Sequence, residues 1–340
     1  MPPEVPPLNL FDPYYRVVHL PLLFMLGACF GSFFNVCIYR IPLGVPLSLP
    51  ASHCYQCGRG VRWFDNIPLV SYWALRGRCR HCEAQFSVRY FMVELLTALL
   101  FVGAYLRIGH SPALLPALVF LSLLIIATFT DIDHWIIPDR ISVGGMVAGM
   151  VLAAIWPLGL AGGNPLAADV FPAARSLVAL VNSLAGALAG FLILWGVGVL
   201  GRMIFRKDAM GWGDIKLFAM FGAFMGLEPL VYTLVIACLV GAIAGTVGII
   251  LGRMRAGVPA PAAIAPLQLD PEQAEALMTS AALGAEEREI VGRALTHPGA
   301  VGPVRHHLPF GPSLALTAAV VYLYFVPIQE AFYRYTLWRY

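Results

Sequence analysis

Long uncharged runs alternate with short polar connections along almost the whole chain. Eight runs stand out, at Val17–Ile38, Phe91–Ile108, Leu114–Thr130, Ile141–Leu160, Leu177–Leu200, Ile215–Leu227, Leu230–Leu251 and Pro312–Ile328. A helix needs about 20 apolar residues to cross a bilayer. The pattern therefore predicts an all-α polytopic membrane protein of about eight transmembrane helices. The sixth run is short, and is expected to span only if the preceding turn extends it or neighbouring protein shields its ends. Two longer polar stretches interrupt the rhythm. They divide the chain into a lead and first span (1–41), a loop module (42–90), a transmembrane core (91–252), an insert (253–309), and a last span with its tail (310–340). The proline-rich start lacks the basic opening and small-residue cleavage site of a signal peptide, and reads as an extramembrane lead. In the insert, Asp270-Pro271 and the spacing of Ile290, Val291 and Ala294 predict two short amphipathic helices.

Composition sharpens the class. Of 340 residues, 59% are hydrophobic and 12% charged, where a soluble domain carries about 25% charge. The net charge of +3 is too small to argue for a nucleic-acid partner. Its distribution says more. With the N-terminus outside, seventeen of the 22 Lys and Arg fall in inner loops. That is the asymmetry of a multi-pass protein whose basic loops face the cytoplasm.

Two acidic stretches then fall on the same, cytoplasmic side. The first, TDIDHWIIPDR, closes the uncharged run Phe120–Phe129 and carries Asp131, Asp133 and Asp139. The second, GWGDIK, sets Asp214 where a turn meets an apolar helix. Ionisable groups at the end of a lipid-spanning run are costly and point to function. Two Asp side chains sharing a proton can activate a water and protonate a leaving amine. Asp131, which ends the apolar run directly, and Asp214 are the expected catalytic pair. Asp133 is assigned a supporting role, and Asp139 a helix cap or a local ion pair. His134 reads as a hydrogen-bonded surface residue. Taken alone, Asp214 reads more readily as a helix cap; its pairing with the first stretch, on the same membrane side, reverses that in favour of chemistry. Gly211 and Gly213 are expected to supply backbone freedom or close approach.

The module 42–90 holds Cys54-x2-Cys57 and Cys79-x2-Cys82. Paired thiolates at this spacing predict one structural zinc bound by four sulfurs. A redox-active thiol pair is the alternative, and it lacks the expected βαβ setting. His53 and His81 read as neighbours of the metal. Five arginines, Arg59, Arg62, Arg76, Arg78 and Arg80, make the module basic, which reads as topology, or as contact with anionic lipid head groups or with an acidic group on a substrate. Cys29, Cys37 and Cys238 lie in apolar runs as small hydrophobes.

The ordered set GSFFNVCIYRIP (Gly31–Pro42), the two CxxC pairs, NIPLVSYWALRGRC (Asn66–Cys79), RYFMVELLTALLF (Arg89–Phe101), TDIDHWIIPD, GWGD and LPFGPSLA (Leu308–Ala315) resembles the bacterial type IV prepilin peptidases. The resemblance covers most of the chain. It implies a GxGD-type intramembrane aspartyl protease using Asp131 and Asp214. Such an enzyme cuts the leader from prepilins and pseudopilins at the cytoplasmic face of the inner membrane. It then methylates the new N-terminal amine with S-adenosylmethionine. Gly31, Asn35, Gly77 and Glu94 are the methyl-transfer candidates, although no G-x-G-x-x-G turn is present. Phe91 stands where the family usually has Pro, and the insert is longer than expected. The alternatives are an intramembrane aspartyl protease without methyltransferase activity, or a proton-coupled transporter. The transporter reading predicts internal repeats, and none is visible. Neither the pilin substrates nor the oligomeric state follows from the sequence.

Overall fold

The computed structural model describes residues 15–48, 51–54, 56–156, 175–206, 210–254 and 310–337. Each apolar run becomes a helix: α1 (Leu20–Leu43), α3 (Val88–Ile108), α4 (Leu114–His134), α5 (Asp139–Ile155), α6 (Arg175–Phe205), α7 (Trp212–Met225), α8 (Leu227–Met254) and α9 (Phe310–Leu337). A one-turn helix, α2 (Val70–Ala74), lies in the loop module. No strand occurs among the described residues, only two isolated bridges. Four helices of the described chain are long and apolar enough to cross a membrane: Val17–Leu43, Val88–Ile108, Leu114–His134 and Ser176–Ile204. Four crossings are thus supported among the described residues, and the eight expected are not confirmed. α5 and α7 are short, at 17 and 14 residues, while α8 and α9 are each 28 residues long. Both amphipathic helices expected in the insert, and the N-terminal lead before Tyr15, lie outside the described residues.

Close helix approach explains the packing. Between membrane helices, association rests on close contact of small residues rather than on water exclusion. Gly27 and Gly31, one turn apart on α1, face α3. A Cβ at Gly27 would lie 2.7 Å from Ala98 Cα, and one at Gly31 would lie 2.6 Å from Glu94 Cα. The same device joins α6 to α7. Gly186 and Gly190 lie against the backbone of Gly222 and Phe218, and Ser183 donates to the Ala223 carbonyl at 2.7 Å. α5 joins through Gly145 and Gly149, which face Met220 and Phe224.

This clasp resolves the short sixth run. Ten of the fourteen residues of α7 are buried, and a helix apolar all round belongs inside a bundle. α4 forms the hinge of the assembly, packing on α1 and α3 on one side and on α5 and α9 on the other. At its centre the Phe120 ring lies 4.9 Å from both Phe224 and Tyr322 and 5.8 Å from Phe221. Aromatic pairs of this kind contribute about 0.5–1.5 kcal/mol each beyond burial.

α3 starts at Val88, three residues earlier than its apolar run suggests. Ser87 caps it by accepting from the Arg89 N–H at 3.3 Å. Phe91, the departure from the family pattern, is one turn inside and packs 5.5 Å from Tyr72 and 6.1 Å from Trp73. Arg89 Nη1 lies 2.8 Å from Asp133 Oδ2. That pair fixes the start of α3, and the module attached to it, beside the end of α4.

Candidate functional site

The first acidic stretch is shaped by how α4 stops. Its last turn ends on Trp135 in the left-handed region, φ 56°, whose N–H returns to the Asp131 carbonyl at 2.9 Å. Such a cap is usually glycine. Here the exposed Trp135 takes it, and the chain turns through Ile136 and the buried Ile137 into α5. Thr130 is fully buried with its hydroxyl given to the Ile126 carbonyl at 2.6 Å. Asp131 follows it and is 8% exposed.

The second stretch meets the first at three points. A Cβ on Gly213 would lie 3.1 Å from Ile137 Cβ, so this glycine serves close approach. Lys216 Nζ pairs with Asp139 Oδ1 at 2.7 Å. Asp214 and Asp131 lie within electrostatic range of one another. Unusual backbone angles play no part: Gly211 is extended, φ −73° and ψ 142°, and Gly213 is helical. Asp214 falls in the first turn of α7, three residues past Gly211, which is itself the N-cap.

A third element completes the surroundings. Gly311, at the start of α9, lies directly against the Asp131 carboxylate, where any Cβ would collide with Oδ2. The stretch LPFGPSLA carries this glycine, but nothing in its pattern shows that it touches an Asp 180 residues earlier. Asp139 is the first residue of α5, but the N-cap is Pro138, and the Asp139 ion pair reaches 77 residues along the chain rather than staying local. Asp133 pairs with Arg89, and His134 bonds the Ile38 backbone of α1.

The four cysteines of the module converge, with all Sγ atoms within 4.8 Å of one another. Cys54 and Cys82 Sγ are 3.7 Å apart. Zinc–sulfur bonds of about 2.3 Å place tetrahedral sulfurs about 3.8 Å apart, so the donor set fits zinc in type and span. Each CxxC sits on the same backbone knuckle. Cys54 N–H donates to Arg59 and Gly58 N–H to Cys54; Cys79 N–H donates to Ala84 and Glu83 N–H to Cys79. Gly58 and Glu83 hold the matching left-handed corner, φ 65° and 57°. Backbone N–H groups of Cys82 and His81 draw the Cys79 thiol down to about 7, whereas the Cys82 thiol, despite the Ala84 N–H, is pushed up to about 12 by burial and the neighbouring sulfurs. His53 faces the Ala51 carbonyl at 3.0 Å and His81 faces Arg59 at 3.2 Å, so both stand beside the sulfur set.

Between the module and the ends of α1 and α3 lies a cavity lined by Asn35, Tyr39, Tyr72, Tyr90, Phe91 and Glu94, with Gly77 at its wall. Three of the four methyl-transfer candidates therefore meet in one place. Gly31 instead lies beneath it, letting α1 approach Glu94. Gly77, at φ 67°, leaves room for the Tyr72 ring 2.9 Å from where a Cβ would be. Glu94 accepts the Leu69 N–H at 2.7 Å, with Leu69 held at φ 62°. Asn35 gives its amide to the Tyr90 carbonyl at 3.1 Å, and its buried Oδ1 has no partner.

Residues 25–108 match the bacterial peptidase A24 N-terminal domain, and residues 118–246 match the type IV leader peptidase family. The chain belongs to the type IV leader peptidase family. The prepilin leader peptidase/N-methyltransferase of Myxococcus xanthus (strain DK1622) is 42% identical over 244 residues, 72% of this chain and 67% of that protein. The one from Klebsiella pneumoniae is 38% identical over 233 residues, covering 67% and 94%. That of Aeromonas hydrophila is 34% identical over 260 residues, covering 69% and 83%. No solved structure matches the chain. The two matched segments part at the turn between α3 and α4. The first carries the cysteines and the cavity, the second both Asp131 and Asp214.

Proposed function

We propose that this inner-membrane protein cleaves the leader peptides of type IV prepilins and pseudopilins and N-methylates the new N-terminal residue, with Asp131 and Asp214 as the hydrolytic pair. The observation that carries the reading is their meeting: two carboxylates, far apart in sequence, at one end of the bundle within electrostatic range. Two carboxylates that share one partly buried site disfavour double ionisation, so the pair can hold one proton between them. The ionised member takes a proton from water as its oxygen attacks the scissile carbonyl. The protonated member supplies the proton that the departing amine needs. The positive end of α9 abuts Asp131, which favours negative charge there. By the distribution of Lys and Arg, this end faces the cytoplasm.

Zinc, held by Cys54, Cys57, Cys79 and Cys82, supplies structure: it locks two knuckles that otherwise rest on a few turns of backbone. The cavity suits a donor such as S-adenosylmethionine, which supplies an electrophilic methyl group. Aromatic faces attract a cation, and the free Asn35 Oδ1 offers an acceptor. Glu94 accepts from the Leu69 N–H and from the Ser32 side chain, which together fix its orientation. The carboxylate is then placed to orient the substrate amine and take its proton.

The test is incubation of purified protein with a prepilin-like peptide and labelled S-adenosylmethionine. Cleavage and methylation together support the reading. Cleavage alone would leave a protease of the same fold. Normal cleavage by Asp131→Asn or Asp214→Asn, at unchanged protein level, would overturn the assignment of the pair.

A further inference from the structure

The loop module presents an apolar face that neither the zinc knuckles nor the cavity uses. Trp63 is 81% exposed, Trp73 73% and Val70 60%. Phe64 is also exposed. Val70 and Trp73, three residues apart on α2, share one side of it. In a soluble loop such a cluster would be an aggregation hazard. Two features of its place in the fold say what covers it.

The face continues a surface that is already lipid-facing. On α3 the exposed Val88, Met92, Leu99 and Leu106 fall on one stripe, opposite the buried Val93, Thr97, Ala104 and Tyr105. Phe91 borders that stripe, and the Trp73 ring leans on it at 6.1 Å. The apolar side of α2 is thus the extension of the lipid-facing side of α3.

The level along the bundle also fits. Trp135 ends α4 and Trp212 opens α7, both more than half exposed. Tryptophan in such places marks the membrane–water interface. The Arg89–Asp133 pair sets the start of α3 at the same height, and Trp73 stands on Phe91, two residues along from Arg89. Around the aromatic face the charges are basic. Arg62 and Arg80 lie over the Phe64 ring at 5.8 and 5.6 Å, and Arg76 and Arg78 are exposed. Arg80 is paired with Asp65, while the surplus of positive charge suits anionic head groups.

We infer that the segment Trp63–Ala74 is an interfacial foot: Trp63, Val70 and Trp73 enter the head-group region of the same membrane the helices cross, with Arg62 and Arg76 reaching its phosphates. The occupant is lipid. The foot holds the cavity wall, to which Tyr72 and Leu75 belong, at the membrane surface. A newly cut substrate amine, still attached to an apolar helix, then meets the cavity without leaving the bilayer. The foot itself rests on packing and charge, and stands whether or not methyl transfer occurs in that cavity.

The experiment uses the full chain with bound zinc in nanodiscs of mixed anionic and zwitterionic lipid, one protein per disc. Tryptophan emission of the wild type is compared with Trp73→Phe and Trp63→Phe. Each substitution is expected to remove emission that lipids brominated near the glycerol quench and aqueous acrylamide reaches poorly. Emission that acrylamide quenches freely and brominated lipid leaves intact would overturn the foot. Protection appearing only with two copies per disc would also overturn it and make the face a contact between chains. Protection appearing only on addition of a pilin peptide would make it a substrate surface instead. Zinc content reports whether Trp73→Phe has kept its fold; if it has not, Trp63→Phe alone decides.

Discussion

Gly311 shows how much one missing atom controls. The Asp131 carboxylate occupies the space a side chain at this position would take. Gly311→Ala must therefore push either the carboxylate or α9 aside. Misplacement of a reacting group by about 1 Å costs on the order of a hundredfold in rate. We expect Gly311→Ala to lower kcat for leader cleavage by about that factor with KM little changed, read from peptide cleavage at varied substrate concentration. Asp139→Ala is the contrasting case. It breaks an exposed pair with Lys216, and such pairs are worth about 0–1 kcal/mol, so cleavage should stay within a few-fold of wild type. A hundredfold loss there would place Asp139 in the chemistry. Both acidic stretches could be read in the sequence, because carboxylates at the ends of apolar runs are rare and expensive. Gly311 could not. It is a glycine among 33, and its importance exists only once α9 is folded against α4. The Arg89–Asp133 pair was hidden for the same reason: charge signs predict that partners are possible, not which of several they find.

At the scale of elements, the hydrophobic pattern located every long helix among the described residues, but not the one-turn α2 and not how the helices pack. α7 looked like a short span. It is an inner helix because Gly186, Gly190 and Gly222 let two backbones touch, and periodicity carries no record of such contacts. Gly186→Val places a branched side chain against the Gly222 carbonyl. Overpacking of this kind typically costs about 1–3 kcal/mol. The melting temperature of the purified protein should fall, and both activities should fall with it; an unchanged melting temperature would mean that α6 and α7 are not held by this contact. The four-cysteine cluster was legible from the CxxC spacing, and Cys54, Cys57, Cys79 and Cys82 do converge. The left-handed corner shared by the two knuckles was masked, since Gly58 announces it while Glu83 does not. One zinc per chain is expected by metal analysis after reducing purification. Cys82→Ser should lower that content and weaken methyl transfer more than cleavage, because the knuckles wall the cavity and stand apart from the Asp pair. Full zinc content in Cys82→Ser would exclude it as a ligand.

At the scale of the molecule, two sites open at one end of the bundle but are built from different parts. The cavity belongs to α1, α3 and the module. The Asp pair belongs to α4 and α7, with α9 against it. Arg89 and Asp133 tie the two halves together without belonging to either site. The two steps want different surroundings. Hydrolysis needs water beside paired acids, whereas methyl transfer needs a neutral amine aligned with its donor and shielded from water. Separate construction allows each step to fail alone. Glu94→Gln keeps the shape and the Leu69 contact but removes the group that takes the amine proton, so it should depress methylation by about a hundredfold or more while cleavage continues. Asp214→Asn should stop cleavage of the intact peptide and spare methylation of a pre-cut one. Giving each variant intact and pre-cut substrate in separate assays distinguishes the cases. Equal loss of both activities in both variants would mean one shared site. The cavity beneath the zinc knuckles would then hold substrate for cleavage rather than for methyl transfer.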